Sequence, residues 1–168
     1  LLEKGYKVYG TFRRLSTPNF WRLQNLDIYS KIHLIPADLV DMGSLLQALK
    51  ASDPDEVYNL AASSFVGTSF EEAVENTEIT GLAVTKFLES ILHQNPDIKF
   101  YQASTSEMFG NSKVVTQNES TPFVPNSPYA ASKLYAHWIT NMYRDSYDMF
   151  ACAGILFNHE SPLRGLQF

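Results

Sequence analysis

Residues 99–110 read KFYQASTSEMFG, and residues 127–133 read SPYAASK. The first stretch opens as a strand, Lys99 to Ala103, with Phe100 and Tyr101 at its centre. It then turns abruptly polar in the run Ser104-Thr105-Ser106-Glu107. The second stretch opens as a helix, with Ser127 as cap and Pro128 at the first helical position. That helix is expected to reach about Tyr147. It carries Tyr129 and Lys133, four residues apart and so on one face. Strand, hydroxyl-rich end and following helix are the parts of a parallel βα unit.

The same alternation extends in both directions. Strands are expected over Lys7 to Phe12, His33 to Pro36, Glu56 to Ala61 and Phe150 to Phe157, all rich in Val, Ile, Tyr and Phe. Asp41 caps a helix to Ala51, with Met42, Leu45, Leu46 and Leu49 at helical spacing. A longer helix is expected over Glu72 to His93, with Leu82, Val84, Phe87, Leu88, Ile91 and Leu92 on its apolar side. A fourth falls within Phe20 to Tyr29. The fold class that follows is α/β: a doubly wound, Rossmann-like parallel sheet with crossover helices on both faces. Residues 1–168 are expected to form one domain, incomplete at both ends. The chain opens at Leu1 with what reads as a last helical turn, closed by Gly5 as C-cap, and stops after Gly165-Leu166-Gln167-Phe168 with no closing element. It therefore reads as an internal fragment.

Composition narrows the function. A chain of 168 residues with 45% hydrophobic content is globular. No apolar run approaches the roughly 20 residues of a membrane span, and the charged start is no signal peptide. A soluble, cytoplasmic protein is expected. The single cysteine, Cys152, excludes an internal disulfide and a cysteine zinc cluster, and is expected to be a small buried hydrophobe. Thirteen Lys and Arg against 18 Asp and Glu argue against nonspecific nucleic-acid binding. His33, His93, His137 and His159 are scattered, which argues against a metal site.

In such sheets ligands sit at the carboxyl ends of the strands. Arg13 and Arg14 follow the first strand. An acidic residue there would accept the 2′-hydroxyl of NAD, whereas arginine accommodates the 2′-phosphate of NADP; the alternative is a solvated basic pair. Asp38, followed by Leu39, either receives an adenine amino group or helps cap the next helix. Leu60-Ala61-Ala62-Ser63-Ser64 is either a small-residue turn or a place where a ligand approaches the backbone. At the end of the fourth strand Glu107 stands beside hydroxyls that are otherwise ordinary cap residues. A lysine ammonium near a phenol lowers its pKa, which would make Tyr129 a base near neutral pH. The polar run Asn158 to Gly165 after the last strand reads as a binding loop.

These residues, in the stretches LLEKGYKVYGTFRR, YNLAASSFVGTSFEE, FYQASTSEMFG, SPYAASKLYAHWIT and GILFNHESPLRG, resemble the extended short-chain dehydrogenase/reductase superfamily. Within it they resemble the GDP-mannose 4,6-dehydratase family. The resemblance implies NADP as cofactor and GDP-mannose as substrate. It implies that Tyr129 takes the proton from the sugar 4-hydroxyl and that Lys133 holds the nicotinamide ribose. Thr105 would bond the 4-oxygen, Ser106 would support the site, and Glu107 would take the C5 proton and assist loss of the 6-hydroxyl. Asn158 would contact the sugar nucleotide. Arg13, Arg14, Asp38, Leu39, Leu60, Ala61, Ala62, Ser63, Ser64, Lys133, His159 and Arg164 match cofactor contacts. The family's glycine-rich turn would precede Leu1 and its substrate lobe would follow Phe168. Ser63 stands where the family often has glutamine, Glu75 near a frequent tyrosine, and Leu163 in place of an arginine. The family also implies a homo-oligomer, dimer or tetramer, with a tetramer contact near Arg13 to Phe20. Two alternatives stay open: a nucleotide-sugar epimerase or reductase of the same superfamily, and an inactive binding module. These 168 residues alone are expected neither to bind NADP tightly nor to turn over.

Overall fold

Five strands alternate with helices along the chain in the computed structural model, which describes residues 1–165. Residues 166–168, the end of the expected domain and of the stretch read as lacking a closing element, lie outside the described residues. The strands are β1 (Tyr9–Phe12), β2 (His33–Pro36), β3 (Glu56–Asn59), β4 (Lys99–Thr105) and β5 (Ala151–Leu156). The helices are α1 (Trp21–Asn25), α2 (Met42–Ser52), α3 (Ala73–Asn76), α4 (Ala83–Gln94) and α5 (Pro128–Tyr147).

All strand pairs are parallel. They lie in two pieces, β1-β2 and β3-β4-β5. Within each piece every strand lies beside the next one in sequence, as in the halves of a doubly wound sheet. The core lies under the larger piece. Val84, Leu88 and Ile91 of α4 recur at helical spacing and pack with Ala136 and Tyr143 of α5 against Phe100 of β4. Phe87 meets Phe100 edge to face, with ring centroids 5.7 Å apart.

The α/β fold class holds, while several expectations of detail need correction. α4 and α5 cover one face of β3-β4-β5. The other face carries the row Tyr58, Tyr101 and Cys152, of which Tyr58 and Cys152 are exposed. Cys152 is thus not a buried hydrophobe: it sits on that open face of an edge strand. The helix expected over Glu72 to His93 is interrupted by a π turn, Thr77–Leu82, which leaves Leu82 exposed. Gly81 lies in this turn, where a Cβ would come 3.4 Å from the Ser132 carbonyl of α5. The helix expected over Phe20 to Tyr29 shrinks to the five residues of α1. Other signals hold. Ser127 Oγ accepts from the Ala130 N–H at 3.1 Å, Asp41 Oδ1 accepts from the Gly43 N–H at 2.9 Å, and Gly5 has φ 82° after the opening turn.

Candidate active site

β4 runs two residues further than expected, so Ser104 and Thr105 are still strand and only Ser106–Phe109 forms a turn. Thr105 caps that turn, its Oγ1 accepting from the Glu107 N–H at 3.3 Å. Gly110 closes it at φ 44°, where a Cβ would run into the Val124 carbonyl.

A cavity of about 510 Å³ opens at the carboxyl ends of β3, β4 and β5. Thr105, Tyr129 and Lys133 line it, together with Leu60, Ala62, Ser64, Asn158, His159 and Arg164. The alternation Leu60, Ala62, Ser64 is that of an extended segment showing every second residue to one side. Ala61 and Ser63 fall outside the lining. Ser63 is held from behind instead: its N–H donates to Thr80 Oγ1 at 3.1 Å and its carbonyl accepts from Asn76 Nδ2 at 2.8 Å. Asn76 precedes the π turn and Thr80 lies within it, so the irregular helix fixes this loop.

Tyr129 and Lys133 are both buried, at 8% and 4% exposure. Lys133 Nζ donates to the Ala103 carbonyl at 2.8 Å and stands 5.9 Å from the Tyr129 ring centroid. Burial lowers the Lys133 pKa to about 8. The Tyr129 phenol is pushed above its ordinary value, first by burial; a hydrogen bond with Thr105 works against this and the Glu107 carboxylate adds to it. The expected lowering by Lys133 is thus reversed. The ammonium is turned to a backbone carbonyl, and desolvation of the phenolate outweighs what remains.

Glu107 and Ser106 are half-buried and outside the cavity lining, although the Glu107 carboxylate acts on Tyr129. Arg13, Arg14 and Asp38 line a second cavity of about 200 Å³, with Pro36, Ala37, Asp41 and Ser44. Asp38 Oδ1 accepts from the Val40 N–H at 3.1 Å; Asp41, not Asp38, caps α2. Leu39 lines neither cavity. Among the described residues no group of three His, Cys, Asp or Glu side chains is placed to hold a metal ion.

Sequence reading missed Arg22. From α1 its Nε donates to the Leu163 carbonyl at 2.9 Å, and it lines the larger cavity. An arginine in a short helix carries no signal of a contact 141 residues away.

A parallel α/β fold whose strand end presents a threonine to a Tyr-x-x-x-Lys helix defines the short-chain dehydrogenase/reductase class. Comparison with known proteins narrows it. The family model for GDP-mannose 4,6 dehydratase matches residues 1–168. GDP-mannose 4,6-dehydratases of Vibrio cholerae and Homo sapiens are 46% and 43% identical, each over the whole chain and 47% of the relative. One from Arabidopsis thaliana is 47% identical over the whole chain and 49% of its own length. The chain belongs to the GDP-mannose 4,6-dehydratase family. It spans about half the length of the curated relatives it matches. Among solved structures, a dTDP-glucose 4,6-dehydratase from Streptomyces venezuelae with NAD and TYD bound is 26% identical, with TM-score 0.75 over 85% of this chain and 44% of that one. A putative epimerase from Burkholderia cenocepacia, 21% identical, shares the fold with TM-score 0.81 over 99% of this chain and 51% of that one.

Proposed function

We propose that residues 1–168 are the dinucleotide-binding domain of a GDP-mannose 4,6-dehydratase, a hydro-lyase that uses NADP and yields GDP-4-keto-6-deoxymannose. One observation carries the reading: Thr105, Tyr129 and Lys133 share one cavity, and a carboxylate, Glu107, acts on the same phenol. A simple dehydrogenase has no use for that carboxylate, whereas elimination of water needs a base for a carbon acid.

A nicotinamide cofactor fits the residues present. Arg13 and Arg14 line the cavity past β1, where a 2′-phosphate would be held, and the carboxylates of Asp38 and Asp41 there are engaged by backbone N–H groups. Leu60, Ala62, Ser64, Lys133, His159 and Arg164 would hold the nicotinamide half, with Ala61, Ser63 and Leu39 shaping the backbone beside it. When bound there, a nicotinamide would supply a hydride acceptor for C4 of the sugar and, once reduced, a hydride donor for C6. Tyr129 takes the proton of the 4-hydroxyl, and Thr105 bonds the same oxygen and steadies the phenolate. Lys133 orients the ribose. With a ketone at C4 the C5 proton is acidic; Glu107 removes it and gives it to the departing 6-hydroxyl, which leaves as water, and once C6 is reduced the proton held by Tyr129 goes to C5, which restores both side chains to their starting states. Ser106 supports the turn that aims Glu107, and Asn158 contacts the sugar nucleotide. Support comes from the relatives' names and from the NAD bound in the Streptomyces structure. A cytoplasmic homo-oligomer, dimer or tetramer, accords with the reading; no helix of the described residues is long and apolar enough to cross a membrane.

A second reading, nucleotide-sugar epimerisation, is favoured by a solved UDP-glucose 4-epimerase from Thermus thermophilus, 25% identical with TM-score 0.75. Glu107→Gln separates the two in a chain extended to the length of its relatives. Dehydration falls about 10²–10⁴-fold while exchange of the C4 hydride with the cofactor persists. Unchanged turnover of GDP-mannose in this variant overturns the dehydratase reading.

A further inference from the structure

The Ala103 carbonyl that receives Lys133 also receives a second side chain. Gln102 Nε2 donates to it at 3.1 Å, beside Lys133 Nζ at 2.8 Å. A carbonyl oxygen has two lone pairs, and two donors suffice to fill them. On the β3 side the ladder ends at Asn59↔Gln102, whereas β4 continues beside β5 as far as Thr105↔Leu156. Ala103 is therefore the first β4 residue past the end of β3. Asn59, the last residue of β3, closes the chain of contacts: its Nδ2 donates to Gln102 Oε1 at 2.8 Å.

The direction of this chain is determined from one end. The Ala103 carbonyl can only accept, so Gln102 must face it with Nε2. Its Oε1 then faces Asn59, which must donate through Nδ2. Gln102 and Asn59 are 0% and 3% exposed, so neither has water as an alternative partner. A buried amide with one permitted orientation fixes the lone pairs next to it. Those lone pairs are what the Lys133 ammonium bonds.

We propose that Gln102, oriented by Asn59, is a positioning residue for Lys133, acting through the shared Ala103 carbonyl. The inference rests on Lys133 being a residue of the site proposed above. The titratable and charged groups on the elements around Lys133 are Tyr129 and His137 on its own helix, the His137 Nδ1 lying 3.0 Å from Ser104 Oγ, Glu107 beyond the β4 end, and Arg22, His159 and Arg164 on the cavity wall. None of them belongs to the Asn59–Gln102 chain, so substitutions there leave these groups in place.

The test is pH-resolved labelling of the folded protein with acetic anhydride, read by mass spectrometry at each lysine. The exposed Lys4, Lys50 and Lys99 serve as internal references. Gln102→Glu places a negative charge on the shared carbonyl's neighbour and is expected to raise the Lys133 labelling midpoint by about one pH unit or more. Gln102→Met removes the donor, and Lys133 labelling is expected to change threefold or more relative to the references. Ile98→Val, a buried change with no amide contact, leaves Lys133 labelling as in the parent. Should both Gln102 variants fail to fold, Asn59→Asp serves: its acceptor turns the Gln102 amide around and sets Oε1 against the Ala103 carbonyl, with the same threefold change expected. Unmoved Lys133 midpoints and rates in the folded variants overturn the proposal. Labelling uses neither substrate nor cofactor. A protein without dehydratase activity would therefore sink the reading of the site and leave this inference standing, and unmoved labelling in an active enzyme would do the reverse.

Discussion

Lys133 carries its charge where the fold gives it little water. Its pKa near 8 lies below the ordinary 10.5. Unfolding therefore takes up a proton between those two values, and this group's contribution to stability rises with pH through that window. Below pH 8 the buried ammonium has its full cost, about 3 kcal/mol, part of which the Ala103 hydrogen bond offsets. Lys133→Met is thus expected to be more stable than the parent at neutral pH by about 1–2 kcal/mol, and to lose the parent's rise in urea midpoint above pH 8. Identical pH dependence in the two proteins contradicts this. The identities of Tyr129, Lys133 and Thr105 as cavity residues were legible in the sequence, because a helix cap and a strand end place them. The direction of the Tyr129 shift was not. It depends on where the ammonium points and on how much solvent the phenol loses, and neither is a property of spacing.

The turn Ser106–Phe109 links β4 to the segment that leads into α5, and Gly110 is its most constrained position. Gly110→Ala puts a Cβ at positive φ and into the Val124 carbonyl. The expected loss of stability is about 2–4 kcal/mol, read as a lowered urea midpoint; a loss under half a kcal/mol contradicts the geometry. Element types were read well from apolar periodicity and caps, and lengths less well. β3 stops at Asn59, where its pairing with β4 ends, and β4 continues to Thr105 because β5 pairs with it that far. The π turn left no apolar signature. Its cause is tertiary: Thr80 and Asn76 bond the Ser63 backbone while Gly81 packs against α5. Cys152 was misread for a related reason, since an apolar strand sequence does not say which face of its sheet is covered.

Across the whole molecule the net charge is −5, yet the smaller cavity presents Arg13 and Arg14. An anion is drawn there by local charge rather than by the overall field. Arg13→Ala with Arg14→Ala is expected to weaken NADP binding on the order of 10–100-fold and to leave NAD binding within about twofold, measured by calorimetry on a chain extended to the length of its relatives. Equal losses for both cofactors contradict the assignment. The two cavities, one at the end of β1 and one at the ends of β3, β4 and β5, divide the site between a cationic pocket and a Thr105–Tyr129–Lys133 cluster with Glu107 beside it. The most direct measurement is the fate of a deuterium placed at C4 of GDP-mannose, followed by mass spectrometry and NMR of the product formed with NADP. The account predicts a sugar nucleotide lighter by one water with the deuterium at C6. A product of unchanged mass, or one whose deuterium remains at C4, contradicts it.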